Sequence, residues 1–231
     1  MPYYGIDMNY IILILPALLF SMWAQHMVTS RFKKYSRVIT ANGLTGAEAA
    51  QEVLRKNGVS DVRIEPVAGN LTDHFDPRDN VIRLSQSVYD AQSIAAVGVA
   101  AHEAGHAIQY AHGYSPMKLR AAIIPVTSVG SKLAMPLVLL GLVLGMAGLI
   151  NLGILFFSFA VLFQLITLPV EFNASMRALK ILDEYGLLSQ EEMPGAKKVL
   201  TAAAMTYVAA LAVSLAQLLR LLAMSQNRGR R

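Results

Sequence analysis

The chain has 231 residues, 55% of them hydrophobic and only 15% charged, with a formal net charge of +5. Soluble domains run nearer 45–50% apolar and about 25% charged, so the balance excludes a disordered, collagen-like or coiled-coil protein and argues against a purely soluble globule. There is no cysteine, which excludes disulfides, Cys-ligated zinc, iron–sulfur clusters and thiol nucleophiles.

Residues 9–24, NYIILILPALLFSMWA, are uncharged. With their flanks they approach the 17–25 residues a helix needs to cross a bilayer. The leader MPYYGID has an acid and no base, unlike a secretory signal. The basic cluster instead follows the segment, at Arg31, Lys33, Lys34 and Arg37. The positive-inside tendency then puts residues 28 onward in the cytoplasm. The remaining positive charge also flanks apolar runs, so the expected surface partner is a lipid bilayer and not nucleic acid.

Residues 40–120 have the pattern of a small α+β domain. Thr45 caps a predicted helix, TGAEAAQEVLRKNG, closed by Gly58. VRIEPV reads as a strand, and LTDHFDPRDNVIRL as two strands around a turn at 76–80. SQSVYDAQSIAAVGVAAHEAGHAIQYAHG reads as one long helix, or a short one followed by a long one. Further on, 133–150 and 154–170 are apolar enough to cross a membrane, with Asn151-Leu152-Gly153 as the turn between them and 121–130 as an interfacial lead-in. A polar helical insert follows, its helix opening at Thr167 and Pro169, and 201–219 is the last apolar segment. Four spans from an outside N-terminus leave the basic tail outside, against the positive-inside tendency.

The densest chemistry is His102-Glu103-Ala104-Gly105-His106. At i and i+4 both imidazoles lie on one helix face and can reach one ion. Neutral imidazoles suit Zn2+, and the intervening glutamate is placed to act as a general base on water. A catalytic zinc site needs a third protein ligand. Glu171 ends an apolar span, where a carboxylate is costly and usually functional; the alternative is a membrane-edge ion pair with Arg177 or Lys180. His112 is the competing ligand, at the spacing of the extended HExxHxxGxxH motif. That motif needs a glycine midway, where this chain has Gln109. If the helix continues, six residues rotate about 240° net, which turns His112 away from the His102/His106 face. His74, in the strand pair, either touches substrate or the oxyanion or is a loop histidine bonded to backbone. Residues 80–84 are the candidate edge strand for an extended substrate. Arg177 could instead serve the oxyanion.

HEAGHAIQ, LTDHFDPRDNVIRLS and LPVEFNASMRAL resemble the neutral zinc membrane metallopeptidases of bacteria, the YugP-like family, along nearly the whole chain. More distantly the chain is similar to the HtpX and CAAX-prenyl types, which pair HExxH with a later ExxAD whose Glu is the third ligand. That pattern implies Glu171 as ligand and Ala174 at the Ala position. Ser175 stands where the pattern has Asp, a departure, so support of a metal-binding histidine falls more weakly to Ser175 or Asn173, or to another group.

The expectation is therefore a mainly α integral membrane protein with a small α+β zincin-like catalytic domain. It divides into a transmembrane helix (1–27), a cytoplasmic catalytic domain (28–120), a transmembrane hairpin (121–170), a polar helical insert carrying the third ligand (171–200), and a last transmembrane helix with a basic tail (201–231). The expected function is hydrolysis of peptide bonds in peptide or membrane-protein substrates, with Glu103 as base and His102, His106 and Glu171 holding Zn2+. The alternative is a non-catalytic membrane zinc scaffold or transporter component. Transport would call for polar groups in mid-span, of which the two hairpin segments offer Asn151 and Gln164.

Overall fold

The computed structural model describes residue 8 and residues 10–229; the leader MPYYGID and the two final arginines lie outside the described residues. A π-helical turn at Tyr10–Ile14 leads into α1 (Leu15–Tyr35). There follow α2 (Gly46–Lys56), β1 (Arg63–Val67), β2 (His74–Asp76), β3 (Val81–Ser85), α3 (Gln86–Tyr89) and α4 (Ile94–Ala111). Three long helices complete the chain: α5 (Ser115–Leu144), α6 (Ala147–Glu184) and α7 (Met193–Gly229). The chain is a mainly α membrane protein with a small α+β part. Four helices, Tyr10–Tyr35, Ser115–Leu144, Ala147–Glu184 and Met193–Gln226, are long and apolar enough to cross a bilayer.

The chain forms two compact units. One draws its described residues from 1–24, 119–168 and 206–231 and is helical apart from the turn at 145–146. Within it Val138, Ile150, Ile154 and Leu221 form a buried cluster. The expected turn at Asn151-Leu152-Gly153 is instead helix. The chain reverses at Gly145, which takes φ +69° while Met146 N–H bonds back to the Gly141 carbonyl, the 6→1 bond of a helix-ending glycine. Gly153 serves packing: a Cβ there would stand 2.7 Å from the Ala134 carbonyl oxygen. Asn151 accepts a hydrogen bond from the Ser225 hydroxyl at 2.9 Å. Residues 121–130 are part of α5 and no separate lead-in.

The other unit, 25–118 with 169–205, holds the larger core. Thr45 and Glu48 close a reciprocal capping box on α2, which buries Val53 and Leu54. The sheet order is β1-β3-β2, with β1 parallel and β2 antiparallel to β3. This corrects the edge expected at 80–84: β3 is the central strand and buries Ile82 and Leu84, while β1 and β2 are the edges. Pro66 fits the edge position of β1, where no ladder donor is required. The region before the HExxH motif takes the second of its two expected forms, the short α3 and then α4, capped by Ser93, whose hydroxyl accepts from Ala96 N–H at 3.2 Å. Nearly all of α4 is buried, which is why it is apolar or small on every face. No new helix opens at Thr167 or Pro169. Pro169 lies inside α6, which runs on to Glu184, and the expected polar insert is broken by the loop before α7.

Candidate metal centre

The His102–His106–Glu171 group lies on α4 and the 169–184 part of α6, within one unit. The two helices approach closely because Gly105 has no side chain: a Cβ there would stand 2.8 Å from the Ala174 carbonyl oxygen. The crossing brings Glu171 onto the histidine face of α4. Its Oε2 lies 3.3 Å from Nε2 of His102 and 3.3 Å from Nε2 of His106. The two imidazoles meet edge to face, with ring centroids 4.7 Å apart. Among the described residues these three form a group whose ligand atoms all lie within 4.8 Å of one another, and all three are buried.

The outer nitrogens are held as well. Nδ1 of His102 is 3.1 Å from the Ser175 hydroxyl. Nδ1 of His106 is 3.0 Å from Oε1 of Gln109. Gln109 is fully buried, and its Nε2 donates to the Val170 carbonyl at 2.8 Å and to Asn173 Oδ1 at 3.0 Å. Arg177 Nε donates to the same Asn173 oxygen at 2.7 Å, and its guanidinium lies 5.9 Å from the centroid of the Tyr114 ring. Sequence reasoning met Gln109 only as a residue that fails the extended histidine motif. The available signal was a glutamine one helical turn past His106 on an otherwise apolar helix.

Glu103 sits beside the group without joining it. Its Oε2 accepts the Phe75 N–H of β2 at 3.0 Å. Burial pushes its carboxyl up from the ordinary carboxylate range to about 7, with Glu171 and Asp73 adding to the rise and His102 and the Phe75 N–H opposing it. His74 is exposed on β2, and its Nδ1 is 2.8 Å from the Thr72 carbonyl, a backbone contact outside the metal group. His112 ends α4 as its C-cap and is not one of the three grouped residues.

The donor set fits zinc. Two imidazoles and a carboxylate are a known catalytic zinc set that leaves a fourth position open. The 3.3 Å separations match the edge of a tetrahedron with bonds of about 2.0–2.1 Å, which is about 3.3–3.4 Å. Apolar helices long enough for a bilayer, together with a buried HExxH-plus-Glu group, define a membrane protein of the zinc-binding HExxH class. The chain belongs to the family described as "Putative neutral zinc metallopeptidase", whose sequence profile matches residues 10–226. "Putative membrane protease YugP" of Bacillus subtilis (strain 168) is 53% identical over 213 residues, covering 92% of this chain and 95% of that protein. No solved structure matches the chain. The cofactor is Zn2+.

Proposed function

We propose that the chain is a multi-pass membrane zinc metalloendopeptidase in which His102, His106 and Glu171 hold the metal and Glu103 is the general base. One observation carries the reading: beside the buried His102–His106–Glu171 group, the buried Glu103 carboxylate is held by the N–H of an edge strand. When bound, zinc lowers the pKa of water to about 7 and polarises a carbonyl oxygen. Glu103 takes the water's proton and later delivers it to the leaving amine. The Phe75 N–H fixes Oε2, so the carboxylate keeps its aim during the transfer. Extended substrate lies along β2, the edge strand beside Glu103. The site faces the cytoplasm, an assignment supported by Arg31, Lys33, Lys34 and Arg37 at the end of the first apolar helix.

The test is hydrolysis of an unstructured protein such as casein by the purified chain in detergent, with zinc content measured in parallel. Activity lost with a chelator and restored by zinc is the expected result. A zinc-loaded chain without turnover on any peptide would instead support the non-catalytic scaffold.

A further inference from the structure

The hydrogen bonds behind His106 run in one direction only. Arg177 is where that direction starts, because a guanidinium donates and cannot accept. The atom of Asn173 that meets Arg177 Nε at 2.7 Å is therefore the side-chain oxygen. The same oxygen lies 3.0 Å from Gln109, so the Gln109 atom facing it is the amide nitrogen. The Val170 carbonyl, 2.8 Å from that nitrogen, demands the same orientation independently, since a carbonyl only accepts. The remaining end of Gln109 is then its oxygen, 3.0 Å from Nδ1 of His106. An oxygen there requires Nδ1 to carry the proton. Nε2, which lies 3.3 Å from Glu171, is the nitrogen left to face the metal position.

We propose that Gln109 is a positioning residue, held by Val170 and by the Asn173–Arg177 pair, that locks His106 into the Nδ1–H tautomer with Nε2 ready to ligate. The inference rests on the reading of His106 as a zinc ligand. It also separates the two histidines. His102 is backed by Ser175 at 3.1 Å, and a hydroxyl can donate or accept. The tautomer of His102 is free to follow the metal, whereas that of His106 is set before the metal arrives. Gln109 is fully buried, so an amide that misses its partners costs more than one that water can satisfy. That cost keeps the orientation fixed.

The experiment compares zinc affinity, by chelator competition, for the full chain and for Gln109→Leu, Ser175→Ala and His106→Ala. It is paired with nitrogen NMR of histidine-labelled protein. Leucine keeps the volume and supplies neither donor nor acceptor. Losing a group that orients a ligand lowers metal affinity roughly 10–100-fold, and Gln109→Leu is expected in that range. The His106 ring signals should change in this variant while those of His102 hold. Collapse of the site would move both rings. Should Gln109→Leu fail to fold, the parent protein still decides the question: a zinc-bound His106 with its proton on Nε2, or ligating through Nδ1, overturns the proposal. Wild-type affinity in Gln109→Leu alongside weak binding in His106→Ala defeats the positioning role alone. Full zinc binding by His106→Ala defeats the metal-centre reading on which it stands.

Discussion

Glu103 and Glu171 are both buried carboxylates on the same small site, and their surroundings give them different work. Glu171 faces two Nε2 atoms at 3.3 Å, while Glu103 faces a backbone N–H at 3.0 Å. Replacing Glu103 with Gln preserves shape and the amide oxygen that meets Phe75 but removes the base. Zinc should stay bound and hydrolysis should fall roughly 10²–10⁴-fold; turnover close to the parent's would remove Glu103 from the mechanism. Glu171→Ala should bind substoichiometric zinc, and His112→Ala should remain loaded and active. Metal analysis of the two variants checks this, and the opposite pattern would hand the third position to His112. The His pair and Glu103 were legible in the sequence because all three lie within five residues on one helix. Gln109 was not, because it contacts Val170 and Asn173 across 61 and 64 positions of chain, and no local pattern encodes that meeting.

At the scale of elements, the α4–α6 crossing depends on one missing methyl group. A Cβ on residue 105 would meet main chain and not a flexible side chain, so the helices themselves would have to separate. Gly105→Ala is expected to lower stability by about 1–3 kcal/mol, the usual cost of overpacking, and to weaken zinc binding because Glu171 moves with α6. Thermal melts with and without zinc would check it; an unchanged melt and unchanged affinity would show that the crossing relaxes freely. Local signals foretold the elements well where they were strong: the cap expected at Thr45 formed. They misled where one residue type serves two purposes. Asn151 and Gly153 carry turn chemistry, yet inside α6 the glycine admits the Ala134 backbone and the asparagine takes Ser225. Gly145, eight positions earlier, makes the turn. The sheet edge was misplaced for a related reason, since a strand's neighbours are a tertiary fact and 81–85 is apolar enough for either place.

Over the whole molecule, length says what composition could not. α6 has 38 residues and α7 has 37. At about 1.5 Å per residue α6 is about 57 Å long, against a hydrocarbon core of about 30 Å. Its first 24 residues, 147–170, are uncharged, and Glu171, Arg177, Lys180, Asp183 and Glu184 all follow. The helix therefore has an apolar part of membrane length and a charged part that carries the site. The orientation is open to a direct check because the chain has no cysteine of its own. A single cysteine at the exposed Ser60 should resist an impermeant maleimide in intact cells and react once they are lysed. Ready labelling of intact cells would reverse the assignment and put the site outside.

Two short stretches of helix supply the metal group and the side chains behind its two histidines. One gives His102, His106 and Gln109; the other gives Glu171, Asn173 and Ser175, together with the Ala174 carbonyl that lies against Gly105. Such an arrangement works like a vernier. Sliding one helix past the other by a single residue would displace it about 1.5 Å and require about 100° of rotation. Glu171, Asn173 and Ser175 would then be carried off their counterparts together. The proposed metal site is thereby tied to the alignment of α4 and α6 at the Gly105–Ala174 approach.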